Sequence, residues 1–241
     1  MRKLIYLFIL TIIILSMGCV SSGITGNGIT EKRTFDVKDF ENITLIGKMR
    51  ISIVQGREYK LDIELDSNLF NVFDAYVSNA TLHLGFNKGS SIRHYHTCNI
   101  WVQLPYLTSV DITGSGNTAI SGFVSADKEI KIVQTGSGIT NINAAVKKLE
   151  IEASGSGMLT AKGNAETLSF NGRGSGVFQA FELQSNQVNI THTGSGDIEV
   201  AVKNSLQADL FGSGCLRYKG YPSRIIIHSS SSATVERVEN E

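Results

Sequence analysis

The stretch that decides the fold is Lys131-Ile132-Val133-Gln134-Thr135-Gly136-Ser137-Gly138-Ile139-Thr140-Asn141-Ile142. Apolar and polar residues alternate on both sides of a Gly-Ser-Gly triplet, and a period of two is that of a β-strand. Glycine between the two runs favours a sharp bend or a positive φ angle. The stretch therefore predicts two short strands joined by a tight corner.

The triplet recurs along the C-terminal half at nearly constant spacing. Its six copies supply the candidate structural glycines Gly114, Gly116, Gly136, Gly138, Gly155, Gly157, Gly174, Gly176, Gly194, Gly196, Gly212 and Gly214. A degenerate seventh copy is Ser231-Ser232-Ala233. A unit of about 19 residues cannot bury its own apolar face, but stacked units can. The predicted fold is all-β: a parallel β-helix, or β-solenoid, whose turns each contain three short strands.

The flanks of the triplet repeat with it, so like residues are expected to stack over like. Ile151 and Ile190 both lie four residues before a triplet and are expected in the core. Glu152 and Asn189 have the opposite parity and are expected to face outward. Residues four and six positions after the first glycine of each triplet are mostly apolar too. The repeat therefore predicts buried columns running the length of the solenoid.

The serines of the triplets are expected to form a ladder along one edge. A nucleophilic serine needs a base within hydrogen-bond reach, and only one copy has a nearby histidine, His192. A calcium-binding β-roll needs a recurring aspartate, and only Asp197 fits. The triplets therefore indicate structure rather than catalysis, and no cofactor is expected.

Residues 1–18 have the pattern of a signal peptide. Arg2 and Lys3 precede an apolar run from 4 to 15, which is short for a membrane span. Gly18-Cys19 fits the end of a bacterial lipobox, although Ser16 stands where leucine is usual. Ordinary signal peptidase would cut the same bond and leave Cys19 as a free thiol. We expect export and a membrane anchor through a lipid on Cys19, followed by a flexible tether over residues 19–33.

The rest of the chain divides into an N-terminal β region, 34–105, and the Gly-Ser-Gly solenoid, 106–241. Ile43 stands four residues before Gly47, and Ile51 and Ile53 stand four and six after it. This spacing matches the later unit. It indicates that the solenoid starts within the N-terminal region.

Three potential metal ligands, His94, His96 and Cys98, would share one face of a strand at a period of two. The alternative is a polar strand edge that leads into the core at Ile100. Cys98 and Cys215 could form a disulfide in an oxidising compartment, or they could be two separate buried thiols. The spacing of these residues does not distinguish a metal site from a strand edge, or a disulfide from two separate thiols.

The balance of charged residues argues against one class of function, nucleic-acid binding. The chain has 22 basic and 22 acidic residues, and removal of Arg2 and Lys3 with the leader leaves 20 against 22, a net charge of −2. Such a balance predicts no binding to nucleic acid. The oligomeric state cannot be predicted from the sequence.

The chain resembles the head GIN domain family of auto-transporter adhesins over about residues 34–238. The resemblance is carried by Phe40-Glu41-Asn42-Ile43, Ile53-Val54-Gln55-Gly56, Leu104-Pro105-Tyr106-Leu107 and the Thr-Gly-Ser-Gly copies at 113, 135 and 193. It implies a right-handed parallel β-helix on an exported chain. It supplies no catalytic residues.

These observations favour a cell-envelope binding, adhesion or scaffold module without catalysis, whose partner would be an envelope glycan or a surface protein. The alternative is a polysaccharide-processing enzyme, because β-helices also carry lyases and hydrolases. Such an enzyme should show clustered acids or bases on consecutive turns. A third class, ice or surface binding, would need flat threonine rows. Thr118 and Thr140 begin one, but Leu159 and Phe178 end it.

Overall fold

The computed structural model describes residues 23–230 and 232–239, and most of them are in β-strands. The elements within those residues are β1 Ile24–Thr25, β2 Thr30–Phe35, β3 Asn42–Ile46, β4 Arg50–Gln55, β5 Lys60–Asp66, a 3-10 helix Ser67–Val72, β6 Phe73–Ser78, β7 Thr81–Phe86, β8 Ile92–His94, β9 Cys98–Leu104, β10 Ser109–Gly114, β11 Asn117–Gly136, β12 Ile139–Gly155, β13 Met158–Gly174, β14 Val177–Gly194, β15 Ile198–Gly212, β16 Cys215–Lys219, β17 Arg224–Ser229 and β18 Thr234–Val238. No helix in these ranges has the length and apolar character needed to cross a membrane. The predicted signal peptide and Cys19 lie outside the described residues.

Strands β10 to β16 stack in parallel, and their register follows the repeat. The first glycine of each triplet pairs with the first glycine of the next, as in Gly136 with Gly155 and Gly155 with Gly174. The predicted parallel β-solenoid is confirmed, with about seven turns spaced about 20 residues apart.

The turns differ from the prediction in how their strands are divided. Strands β11 to β15 each run for 15 to 20 residues instead of about five. Because each turn lies over a turn of almost the same length, inter-turn hydrogen bonds continue through the bends. The bends appear only as shifts in register, for example between Ser121 and Phe123. Strands β11 to β15 end at the Gly-Ser-Gly corners, although backbone hydrogen bonds still link successive turns there, such as the one from the amide of Ser156 to the carbonyl of Gly136.

The predicted columns form the core. Four residues before the first glycine of each triplet, the buried residues are Val110, Ile132, Ile151, Phe170, Ile190 and Ala208. Four residues after it, they are Thr118, Thr140, Leu159, Phe178, Ile198 and Leu216. The column six residues before is buried from Ile130 to Leu206, but Thr108 and Ile225 at its two ends are exposed. The last copy is exposed because no further described turn covers it.

The N-terminal region joins the same sheet, but its turns are not in sequence order. Strands β3 and β4 pair in parallel with β10 and β11, with Ile43 opposite Val110 and Ile51 opposite Thr118. Strands β7 and β9 pair with the other edges of β3 and β4. The turn of residues 42–55 therefore lies between the turn of residues 81–104 and the turn that begins at 109.

Antiparallel strands close the N-terminal end of the solenoid. Strand β6 pairs antiparallel with β7, β5 with β9, and β2 with β5. This arrangement corrects the predicted tether of residues 19–33, because β1 and most of β2 fall inside it. Composition favoured a flexible segment, but the free edge of β5 provides backbone partners. Side chains add to this pairing, since Arg33 lies over the Phe70 ring at 4.1 Å.

Candidate functional site

The Gly-Ser-Gly corner has a backbone explanation for its composition. The first glycine of each copy has a positive φ, between 110° and 148°. The second has an ordinary φ, but a Cβ there would collide with the turn before it. At Gly176, for example, the added atom would lie 2.7 Å from the carbonyl oxygen of Gly157. Both positions need glycine, for two different physical reasons.

The serines between these glycines form a ladder through their backbone. The amide of Ser156 donates to the carbonyl of Gly136 at 3.2 Å, and the amide of Ser175 donates to that of Gly155 at 3.1 Å. The serine side chains face solvent. Exposed hydroxyls with no base beside them are poor nucleophiles.

His192, the one histidine near a triplet, points into the solenoid. It is buried next to Phe170, and the absence of a side chain at Gly172 leaves room for its ring. Burial lowers the pKa of His192, and only its interaction with the backbone of Gly172 opposes this. The ring is therefore neutral at pH 7 and belongs to the core. It cannot serve as the base for the exposed Ser195.

The outer face of strands β12 to β15 carries a shallow groove of about 200 Å3, which we call the polar groove. Its outward side chains are Glu150, Glu152, Ser169, Asn171, Asn189, Thr191, Gln207 and Asp209. They stand on the same two positions of successive turns, so Asn171 lies opposite Thr191 and Asn189 opposite Gln207. The groove is therefore a regular array of hydroxyl and amide groups, flanked by acids.

The hydrogen bonds of this face lie at its two ends. Lys131 donates to Glu152 at one end, and His228 pairs with Asp209 at 2.8 Å at the other. Within the described residues, the side chains of Asn171 and Asn189 are exposed and make no hydrogen bond. Their amides are free to donate to and accept from a ligand.

Three acids line the groove, and the two that lie on the same turn, Glu150 and Glu152, both contact Lys131. Hydrogen bonds from Lys148 and then Lys131 lower the pKa of Glu150. Lys131 also bonds to Glu152. A glycosidase needs one carboxyl group with a raised pKa as its general acid. The environment of Glu150 therefore acts in the opposite direction from the one that a general acid needs.

The three candidate metal ligands, His94, His96 and Cys98, do not share one strand face. His94 ends β8, Cys98 begins β9, and the chain bends between them at His96. The Cys98 side chain points into the core, where burial raises its pKa to about 12. Metal binding requires the thiolate, which this environment disfavours. No group of three metal ligands occurs within the described residues.

The structure also decides two alternatives that the sequence left open, the ice-binding threonine row and the disulfide. Thr118 and Thr140 are buried at 3% and 1% exposure, so they cannot start an ice-binding row on the surface. Cys98 and Cys215 are separate free thiols, the first buried and the second half-buried.

The sequence reasoning missed the polar groove. Its residues occupy the outward positions five and three residues before each triplet, and those positions vary in identity from turn to turn. In the turns of the groove these positions are all polar, although no one residue type recurs. The pattern can be recognised only after the buried columns have shown which side chains of each strand point outward.

Solved structures of three bacterial proteins share this fold. A "putative adhesin" from Bacteroides fragilis has a TM-score of 0.81 at 24% identity, and the alignment covers 90% of this chain and 100% of that one. A "putative lipid binding protein" from Parabacteroides distasonis has 0.73 at 26% identity, with the same coverage. A "putative adhesin" from Parabacteroides merdae has 0.72 at 23% identity, covering 90% and 99%.

Among curated proteins, none is significantly similar to this chain. Residues 39–222, however, match the family described as "Putative auto-transporter adhesin, head GIN domain". This match covers most of the solenoid, including all six Gly-Ser-Gly triplets. The chain therefore belongs to the head GIN domain family, as its sequence resemblance implied.

Proposed function

We propose that this protein is an exported, lipid-anchored adhesion module of the cell envelope that binds a glycan through the polar groove without catalysis. The observation that carries the proposal is the array of outward amide and hydroxyl groups in register on successive turns. A glycan presents repeated hydroxyl groups that both donate and accept. Membership of a family described by adhesion is consistent with this use.

Ion pairs in the groove favour binding over turnover. Glu150 contacts Lys131 and Lys148, and Glu152 contacts Lys131. These carboxylates can accept hydrogen bonds from sugar hydroxyls, and charge-assisted hydrogen bonds are stronger than neutral ones. Hydrogen bonds from the two lysines lower the pKa of Glu150, which disfavours its use as the general acid that protonates a leaving-group oxygen.

Binding through the groove can be tested with amide variants. Asn171→Ala combined with Asn189→Ala should weaken glycan binding about tenfold or more, because each lost hydrogen bond is worth about 0.5–1.5 kcal/mol. The measurement is a screen of purified protein against envelope glycans, followed by titration of any glycan bound. The bound glycan should be recovered uncleaved.

The matched control is Asn141→Ala combined with Asn143→Ala, two exposed asparagines of β12 outside the groove. It should leave binding unchanged. Equal loss in both double variants would argue against the groove. Cleavage of the glycan that is abolished by Glu150→Gln would establish the enzyme alternative instead.

The anchor is tested separately. We expect Cys19→Ala to release the protein from the membrane fraction or to block its processing, because the lipid would be attached to that thiol. Cell fractionation and the mass of the N-terminal peptide measure this, and Cys215→Ala should remain with the membrane. Wild-type protein that is found in the soluble fraction with a free Cys19 thiol would show ordinary signal-peptidase cleavage.

A further inference from the structure

A second cleft, of about 460 Å3, lies at the N-terminal end of the solenoid, between the first Gly-Ser-Gly corner and the segment 93–99. We call it the basic cleft, because five basic side chains line it: Lys48, Arg50, Arg93, His94 and His96. None of its lining residues is acidic.

The cations of the basic cleft are largely uncompensated. Within the described residues, only His96 has a carboxylate within 4.0 Å, through its Nδ1 atom 3.1 Å from Asp66 Oδ2. On the repeat turns, by contrast, Lys131 contacts two glutamates and Arg217 contacts an aspartate and a glutamate. The side chains of Lys48, Arg50 and Arg93 therefore line one space with no carboxylate of the described chain within 4.0 Å of them.

The cleft also offers neutral hydrogen-bond donors. Ser115 and Asn117 of the first corner line it and are exposed. Two arginines provide the planar forks that match the oxygen atoms of a phosphate. Met49 and Cys98 also border the cleft, but both side chains are buried in the core. The accessible groups are therefore cationic and polar, which suits a phosphate group.

The position of the N-terminus indicates where such a phosphate group would come from. The amide of Ile24 donates to the carbonyl of Ser91 at 2.7 Å, and that of Gly26 donates to His94 at 2.8 Å. A Cβ atom added to Gly23 would lie 3.1 Å from Cβ of Arg93. The chain therefore enters the fold directly beside the basic cleft.

The proposed anchor is close to this point of entry. Gly23 is the fourth residue after Cys19, and four extended residues span at most about 14 Å. A lipid on Cys19 would hold the cleft near the membrane surface. Phosphates of anionic headgroups are concentrated there, and their field acts within about a Debye length.

We propose that the basic cleft binds the phosphate group of an anionic membrane lipid and so orients the solenoid with its N-terminal end toward the membrane. This orientation rests on the proposed lipid anchor at Cys19. The polar groove, on strands β12 to β15, would then lie on turns farther along the solenoid from the membrane.

The test uses the processed chain from residue 19 with Cys19→Ser, which keeps every described strand but carries no lipid. It should bind vesicles of phosphatidylglycerol mixed with phosphatidylcholine, and not vesicles of phosphatidylcholine alone. Arg50→Ala combined with Arg93→Ala should weaken binding roughly 25-fold, since each cation near an anionic surface contributes about fivefold.

The matched control is Lys203→Ala combined with Arg224→Ala, which removes the same charge at exposed positions near the other end of the solenoid. It should retain wild-type binding, and thermal melting should show that both double variants are folded. Equal weakening in both would mean general charge attraction and would overturn the cleft. Binding of inorganic phosphate or glycerol phosphate, but not of vesicles, would overturn the lipid as the source.

This outcome is separable from that of the proposed function. The groove variant Asn171→Ala with Asn189→Ala should bind the anionic vesicles like wild type. If the wild-type protein binds vesicles normally but binds no glycan, the adhesion proposal alone is contradicted. Failure of vesicle binding by the unlipidated Cys19→Ser chain, with wild-type Cys19 shown to be lipidated in cells, would overturn the cleft proposal alone.

Discussion

Replacement of Gly155 by valine is expected to lower the free energy of unfolding by about 3–6 kcal/mol, enough to unfold a marginally stable chain. Gly155 has φ +114°, a region that costs a β-branched residue about 1–3 kcal/mol. A Cβ there would also lie 2.4 Å from the carbonyl oxygen of Gly136 in the preceding turn. That oxygen accepts the amide of Ser156, so it cannot move away without breaking the ladder.

The chain offers a control that separates the two causes. Gly89 also has a positive φ, +104°, but a Cβ added there would meet no atom within 4 Å. Gly89→Ala should therefore cost only the backbone strain, about 1 kcal/mol, whereas Gly155→Ala should cost clearly more. Chemical denaturation of both alanine variants measures the difference. Equal losses would show that strain alone explains the corner glycine and that the turns are not closely packed there.

The repeat was predictable because its signal is redundant. Six copies of one triplet fix both the register and the parity of the flanking strands, so an error in one copy is corrected by the others. The pairing of Gly136 with Gly155 and the burial of Ile151 follow from spacing alone. Stacking of like residues needs no knowledge of distant contacts.

The N-terminal end was not predictable in the same way. The strands around Leu82 and Ile100 alternate as regularly as those around Ile43 and Ile51, so periodicity does not say which turn lies outermost. That order is set by long-range pairing, with β7 and β9 on the outer edges of β3 and β4. The supposed tether failed for a related reason, because its partner β5 lies about 30 residues away.

The two candidate binding surfaces, the basic cleft and the polar groove, could not be predicted from the sequence either. Arg50 and Arg93 are 43 residues apart and have no shared motif, yet the non-sequential order of turns brings them to one cleft. Asn171 stands three residues before one triplet, and Asn189 stands five residues before the next. Because side chains alternate along a strand, both are expected on the outer face, but only the stacked turns show that they are neighbours.

Ile151→Ala should lower the free energy of unfolding by about 2–5 kcal/mol. Ile151 is fully buried, and its neighbours in the same column are Ile132 on one side and Phe170 on the other. Their backbones are fixed by hydrogen bonds to the turns above and below, so the column cannot close around the lost methylene groups. Ile190→Ala should behave alike, because Ala208 on the next turn is too small to fill the space.

Asn189→Ala is the matched control, since Asn189 precedes Ile190 directly and its side chain is exposed. It should change the free energy of unfolding by no more than about 0.5 kcal/mol. Glu152→Ala is a weaker control, because the ion pair of Glu152 with Lys131 contributes up to about 1 kcal/mol at such exposure. Urea denaturation of the four variants tests the register directly. Losses at Asn189 as large as at Ile190 would mean that the inward and outward faces are exchanged, and the buried columns that define the solenoid would then be wrong.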